Sequence, residues 1–254
     1  MDQSKELTSI TSIIREENQR VMNAGERLGP IVAVAHEGLV TLGASMISFP
    51  DGRGIIAGLL LATQKSALLA FLSYLRGHTA QADFNCRQVI EFTAVAAYLL
   101  ANPEADVFDE IDGEFRLKDR QNLSVKAYKW LARTEPDLNS ALARIKKQIN
   151  DNTAHAGIAL TALTVDMASF DEGSTRFSGH FFDNLPTLHM QSALLNFCYL
   201  IVMVVETVRR AGLGANFVVF DPVLEGKAAH LAQLIEECRL QLAKSFEQSE
   251  GPPA

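Results

Sequence analysis

The chain has 254 residues, 48% of them hydrophobic, and a formal net charge of −7 at pH 7. This length fits one large domain with a substantial core. The negative balance argues against a strongly basic nucleic-acid-binding protein, although a local basic face remains compatible with it.

Targeting and redox signals favour a soluble cytoplasmic protein. The segment from Met1 to Arg27 is charged and lacks an apolar core, so no signal peptide is predicted. The apolar runs further along are short for membrane spans, and no membrane association is expected. The three cysteines, Cys86, Cys198 and Cys238, show no C-x-x-C spacing, which favours reduced core residues over disulfides or zinc ligands.

The first elements are predicted to be helices. Apolar residues recur at helical spacing among charges from Leu7 to Leu28, which predicts an amphipathic helix ending near Gly25 or Gly29. Residues 1–28 can form an N-terminal arm that packs on the bundle or on a partner chain. A more apolar helix is predicted over Ile31–Ile47.

Two long apolar helices follow, over Gly54–His78 and Gln81–Ala101. Their short connection predicts an antiparallel hairpin. The second helix is apolar on nearly every side, so other elements must surround it. Asp83 or Thr79 can cap its N-terminus.

Arg87 and Glu91 interrupt this central helix and share one of its faces, because they lie four residues apart. A carboxylate beside such an apolar segment requires a cation or several hydrogen-bond donors. Arg87 is the nearest candidate, and a basic group from another helix is the second. The pair either fixes how helices align or forms a polar pocket floor.

An acidic stretch from Asn102 to Glu114 separates the central helix from a basic region. It does not match the calcium-binding EF-hand pattern, so a solvated loop and no metal site are predicted. Leu117–Arg133 and Pro136–Thr153 are then predicted as two lysine-rich helices. Their charge either meets a phosphate or another anion, or forms a solvated face that balances the acidic loop.

The second basic helix ends in an unusual run of small polar residues, Asn150 to Thr153, followed by His155. Asn and Asp favour a break in the helix there. His155 is either a capping or packed histidine, or a titratable group that faces Arg87, Glu91 or Lys147.

Alternating residues over about 160–183 predict a small β-hairpin appended to the helical body. Helices over Pro186–Ala211 and from Pro222 to about Phe246 complete the chain, with a brief extended segment at Asn216–Asp221. The predicted fold is therefore mainly α. It is a helical bundle forming one domain over residues 1–246, with a disordered tail at 247–254.

Part of this pattern resembles an uncharacterised group of bacterial helical proteins and, more distantly, HEPN domains. The residues that carry the resemblance are Arg87-x-x-x-Glu91 on one apolar helix, and a later helix with Lys146-Lys147 that ends in Asn150 to His155. HEPN domains are helical bundles, often dimeric, and many cleave RNA with an arginine and a histidine. In that family the motif is an arginine, usually followed by a polar residue, then four to six residues and a histidine. Here no arginine stands at that spacing before His155, and Lys147 is the nearest basic residue.

Three functions follow as alternatives, because no complete catalytic motif is present and no P-loop, G-x-G-x-x-G, H-E-x-x-H or G-x-S-x-G occurs. The first is a non-enzymatic interaction or oligomerisation protein that forms homo-oligomers or binds another protein. The second, implied by the resemblance, is a metal-independent ribonuclease-like enzyme acting on RNA. The third is a module that binds a small anion or metabolite.

No cofactor is predicted for any of these functions. The candidate residues for catalysis are His155, Lys147 and Arg87. The candidate residues for binding are Glu91, Asn150, Asn152 and Lys146.

Overall fold

The computed structural model describes residues 9–48, 54–103, 108–111, 114–117, 120–152, 165–171, 174–179, 181–183, 185–213 and 219–249. The helices, in chain order, are α1 (Ile10–Met22), α2 (Ala24–Leu28), α3 (Ile31–Ala44), α4 (Gly54–Arg76), α5 (Thr79–Ala101), α6 (Arg120–Thr134), α7 (Pro136–Asn152), α8 (Thr187–Leu213) and α9 (Leu224–Ser249). The prediction of a mainly helical fold is confirmed.

Among the described residues, three short antiparallel strand pairs accompany the helices. They are β1 (Met46–Ser48) with β6 (Val219–Phe220), β2 (Phe108–Ile111) with β3 (Glu114–Leu117), and β4 (Val165–Asp171) with β5 (Ser174–Gly179). The β4–β5 pair lies within the hairpin predicted at about 160–183, part of which is outside the described residues. Its role as an appendage of the bundle stays a prediction.

The α4–α5 pair organises the bundle. Gly77, with a φ of 85°, turns the chain between these helices in a conformation that suits glycine. Ile56 and Leu60 at the start of α4 cluster with Ala97 and Leu100 at the end of α5, so the two helices run antiparallel, as the sequence predicts.

The central helix is enclosed as expected, because α5 packs against α4, α6, α7 and α8. One buried cluster runs through α3, α4, α5 and α8, and includes Leu42, Ile90 and Ile201. At Gly38 an added Cβ would lie 3.4 Å from the Cγ2 of Ile201, which is an ordinary van der Waals distance, so α3 packs directly against α8 at this position.

Several predicted boundaries are wrong. The helix expected over Ile31–Ile47 ends at Ala44, because the next residues pair with a strand more than 170 residues further along the chain. The expected acidic loop contains β2, which pairs with β3 and places Phe108 opposite Leu117. The sequence of β2, FDEI, has no strict alternation of apolar and polar residues, and its acidic residues favour a loop over a strand.

Other boundaries shift by smaller amounts. The predicted N-terminal helix is divided at Asn23 into α1 and α2. The last helix continues to Ser249, past the predicted start of the tail at Glu247, and residues 250–254 lie outside the described ranges.

The N-terminus of α5 is capped from a distant part of the chain, and not by Asp83 or Thr79 as expected. The Oδ2 of Asp183 accepts hydrogen bonds from the backbone N and the Oγ1 of Thr79, both at 2.5 Å. The backbone N of Asp183 donates to the carbonyl of Gly77 at 2.9 Å. This exchange satisfies helix-end groups that local residues leave unpaired.

A charged network joins the C-terminal end of α8 to its neighbours. Glu206 accepts two hydrogen bonds from Arg209, both at 2.9 Å, and one from Arg210 at 2.6 Å. Arg210 also contacts Glu135 between α6 and α7 at 2.9 Å. Hydrogen bonding from Arg209, opposed by burial and reinforced by Arg210, lowers the pKa of Glu206 to about 2.

Two helices, α4 and α8, are long and apolar enough to cross a membrane by length and composition, and 39% and 50% of their most apolar windows are buried in the bundle. Core helices of soluble proteins meet the same criterion, so this measure is weak evidence for either environment.

Replacing Asp183 by alanine is expected to lower the free energy of unfolding by about 1–2 kcal/mol, because the Thr79 amide loses its acceptor. Asp183→Asn is the matched control, since an amide oxygen can still accept, and it should retain most of the stability. Urea unfolding monitored by circular dichroism measures both variants. Equal losses in the two variants would contradict the capping role.

The Glu206 network predicts acid sensitivity. Because the folded-state pKa of about 2 lies below the ordinary 4.5, the network contributes stability above pH 4.5 and loses it as the pH falls towards 2. Because the network is partly exposed, we expect it to contribute about 1 kcal/mol to the free energy of unfolding. Denaturant unfolding of wild type and Glu206→Gln at several pH values should show the two curves converging below pH 4.5, and parallel curves would contradict this.

Candidate functional site

Glu91 lies at a polar junction between α5, α6 and α7. Its Oε1 contacts the Nζ of Lys146 at 2.5 Å, and its Oε2 accepts a hydrogen bond from the Oγ of Ser124 at 3.2 Å. The side chains of Glu91 and Lys146 are 27% and 25% exposed, so the pair is largely removed from water. We call Glu91, Ser124, Tyr128 and Lys146 the Glu91 cluster.

Tyr128 completes the cluster beside Lys146. The lysine Nζ lies 3.3 Å from the phenolic oxygen and 4.5 Å from the ring centroid, so the ammonium meets both a hydrogen-bond acceptor and an aromatic face. Burial and the adjacent carboxylate of Glu91 raise the pKa of Tyr128, which keeps the phenol protonated at physiological pH.

Two partners were considered for Glu91, Arg87 and a basic group from another helix, and the second is found, because Lys146 on α7 contacts the carboxylate. The NH1 of Arg87 donates to the Oδ1 of Asn150 on α7 at 3.2 Å. Arginine preceding glutamate by four residues is the less favourable order for a local pair. Arg87 and Glu91 therefore both bond to α7, and the two contacts together fix how these helices align.

The structure brings together four of the predicted site residues, Arg87, Glu91, Lys146 and Asn150. Lys147 does not join them, because its side chain is 76% exposed and pairs with Asp151. The side chain of Asn152 and the whole of His155 lie outside the described residues. Among the residues described, therefore, no arginine–histidine or lysine–histidine pair is seen.

Sequence reasoning missed Ser124 and Tyr128. They lie four residues apart in a predicted helix, so the sequence already indicates that they share one face. The cluster neutralises the carboxylate of Glu91 and donates hydrogen bonds to it. Without these partners the carboxylate would lie unpaired beside an apolar segment of the helix. Within the described ranges, no group of three or more histidine, cysteine, aspartate or glutamate side chains could hold a metal.

A second feature is a mostly apolar row on α4, exposed from Gly58 to Leu68 and half-buried at Leu72. Gly58, Leu61, Lys65, Leu68 and Leu72 follow one another at alternating steps of three and four residues, the spacing of a helix–helix seam. Leu61 is 64% exposed and Leu68 is 49% exposed. We call these five residues the α4 seam.

The exposed side of α3 extends this apolar surface. An added Cβ at Gly43 would lie 2.8 Å from the Nε2 of Gln64, so the end of α3 runs directly beside α4. Val40 is 48% exposed on that side of α3. Further along, Val32 and His36 face Phe71 across an open groove between α3 and α4. The seam therefore belongs to a broad apolar surface rather than to scattered side chains.

Comparison of this chain with protein-family models, with curated proteins and with solved structures finds no match.

A double-mutant cycle tests the Glu91 cluster. Glu91→Gln and Lys146→Met should each lower the free energy of unfolding by about 1–3 kcal/mol, because each leaves a partly buried charge without its partner. The double variant should lose less than the sum of the single losses, since neither charge remains. Chemical denaturation of wild type, the two single variants and the double variant gives the coupling free energy between Glu91 and Lys146.

Lys147→Met is the matched control for this cycle, because the neighbouring Lys147 is exposed. Its free energy of unfolding should stay within about 0.5 kcal/mol of wild type. Strict additivity of Glu91→Gln and Lys146→Met would contradict a direct interaction between the two side chains.

Proposed function

We propose that this protein is a non-enzymatic assembly protein that pairs with a second copy of itself through the α4 seam. The observation that carries the proposal is the row of leucines left facing water on a helix whose opposite side is fully buried. Water contact with such a row is unfavourable, and a partner surface would remove it.

The spacing of the seam favours another helix as the occupant. Alternating steps of three and four residues match the rows by which two helices interlock their side chains. Leu61 and Leu68 occupy equivalent positions one heptad apart, with Leu69 at 41% exposure beside them. A helix carrying this pattern can pack against its own symmetry mate, and twofold dimers are the commonest oligomers.

The single charge in the seam supports a specific pairing. Lys65 is exposed between Leu61 and Leu68, at an inward position of the heptad pattern. A lysine at such a position lowers the stability of the pairing but selects its register and the number of chains. If α4 were inserted wholly in lipid, a charge at Lys65, in the middle of the seam, would bring no benefit.

The Glu91 cluster fits a structural rather than a catalytic part in this proposal. Glu91 is balanced by Lys146, and Arg87 is held by Asn150, so both contacts brace the bundle that presents α4. In this proposal the helical bundle carries the interface, and the β4–β5 strand pair is an appendage. The protein works in the cytoplasm and needs no cofactor.

Sedimentation velocity over a range of concentrations tests the assembly. Wild type should form a dimer, and the double variant Leu61→Glu with Leu68→Glu should remain monomeric, because four carboxylates would meet across the interface. Lys65→Leu should tighten the dimer severalfold by replacing a polar seam residue with an apolar one.

Leu240→Glu is the matched control, because Leu240 is similarly exposed at 47% but lies on α9. It should dimerise as wild type does. A wild-type protein that stays monomeric throughout would contradict the proposal, as would equal dissociation of the control. Co-sedimentation of wild type with phosphatidylcholine vesicles, lost in the Leu61→Glu, Leu68→Glu variant, would assign the seam to a lipid surface instead.

The RNA-processing alternative depends on His155 acting with Arg87 or Lys147, and both basic residues have other partners in the described structure. Cleavage of RNA by wild type that His155→Ala abolishes would favour that alternative. The anion-binding alternative would use a pocket lined by Arg87, Glu91 and His155, of which His155 lies outside the described residues.

A further inference from the structure

A small pocket opens between α2, α3, α8 and α9. It is separate from the Glu91 cluster and from the cavity lined by Tyr74, Asp83 and Phe197. Its volume is about 110 Å³. An apolar cavity of about 150 Å³ in another protein binds benzene, so this pocket fits a somewhat smaller molecule, of about four or five non-hydrogen atoms.

Most of the pocket wall is apolar. Leu28, Ile31 and Leu195 contribute buried side chains from α2, α3 and α8. Leu242 contributes a half-buried side chain from α9, and Pro30 lies between α2 and α3. Such a wall makes no hydrogen bonds with water, so it favours a ligand with an apolar body.

The pocket is electrically neutral. None of the described residues that line it carries a formal charge. Burial, reinforced by the nearby Glu237, raises the pKa of the Cys238 thiol in the wall, so this group is neutral at physiological pH. An ion would lose water here without meeting an opposite charge. The pocket therefore disfavours anions and cations alike and suits a neutral molecule.

Two side-chain amides add polar groups to the lining. The Nε2 of Gln191 on α8 donates to the carbonyl of Leu28 at 3.0 Å, and among the described residues no donor meets its Oε1. Gln241 on α9 is exposed, and its side-chain amide has no partner within the described ranges. The pocket therefore offers an acceptor from one helix and a donor from another.

We propose that this pocket binds a small neutral alcohol with a short carbon chain. A hydroxyl has one donor and two acceptor lone pairs, so it can donate to the Oε1 of Gln191 and accept from the amide of Gln241. The carbon chain would lie against Leu28, Ile31 and Leu195. Because the carbonyl of Leu28 already holds the amide of Gln191, little ordering is needed on binding.

Isothermal titration calorimetry with 1-butanol tests the site. Wild type should bind 1-butanol saturably, and should bind sodium butyrate and butylammonium chloride at least about tenfold more weakly, because each charged group would lose water without gaining a partner. Equal affinity for 1-butanol and either ion would overturn the proposal, as would the absence of saturable 1-butanol binding.

The thiol of Cys238 locates the bound alcohol. Methyl methanethiosulfonate converts an accessible thiol into a methyl disulfide and releases methanesulfinate. Saturating 1-butanol should slow this reaction at Cys238 at least about fivefold, because the ligand covers the thiol, and mass spectrometry of the peptide measures it. Sodium butyrate at the same concentration is the control and should leave the rate unchanged. An unchanged rate with 1-butanol would overturn the assignment.

Replacing Gln191 tests the hydrogen bond to the hydroxyl. Gln191→Met keeps the length of the side chain but removes the acceptor, and should weaken 1-butanol binding at least about fivefold. Equal affinity of this variant and wild type would overturn the proposal.

A second variant covers the case in which Gln191→Met fails to fold. Ser245 is an exposed lining residue, so Ser245→Phe should block the pocket and abolish 1-butanol binding while circular dichroism shows the wild-type helix content. Ser140→Phe is the matched control, because Ser140 is exposed on α7, which contributes none of the described lining residues, and it should bind as wild type does. Retained binding in Ser245→Phe would overturn the proposal, as would equal loss in the control.

The described lining of the pocket includes no residue of α4. The binding proposal can therefore fail while the assembly through the α4 seam stands, and the reverse also holds.

Discussion

The burial of α5 between four other helices imposes the condition that governs this bundle. An apolar helix can be enclosed on all sides only if its charged residues find partners on the helices that enclose it. Glu91 meets Lys146 and Arg87 meets Asn150, both across the junction with α7. The two contacts fix the alignment of α5 with α7, and they use Lys146 and Asn150 of α7, which the sequence suggested as candidate binding residues.

Most of the helical framework could be read from the sequence, because apolar periodicity and glycine or proline boundaries are local signals. Gly54–Arg76 and Thr79–Ala101 are found close to their predicted limits. The strands at Met46–Ser48 and Val219–Phe220 were not predicted as a pair, because each is short and its partner lies far along the chain. Pairing of this kind depends on tertiary packing that local propensity does not encode.

The candidate site, too, could be predicted from the sequence only in part. The sequence identified Glu91 as a carboxylate in need of a partner and named a basic group from another helix as one option. It could not choose Lys146 over Arg87, because the choice depends on how far apart two helices lie and how each is rotated. The sequence also gave no indication of the cavity lined by Tyr74, Asp83 and Phe197. Residues from four helices form this cavity, and they are scattered along the chain.

The capping of α5 by Asp183 has a consequence for the order in which the protein can fold. Asp183 lies 104 residues after Thr79, so a ribosome must complete most of the chain before this carboxylate reaches the helix it stabilises. Until then a nascent α4–α5 hairpin has an open end and no α8 to cover it. Final locking of the hairpin is therefore a late event of biosynthesis, and the unfinished chain is the form of this protein most exposed to chaperones and proteases.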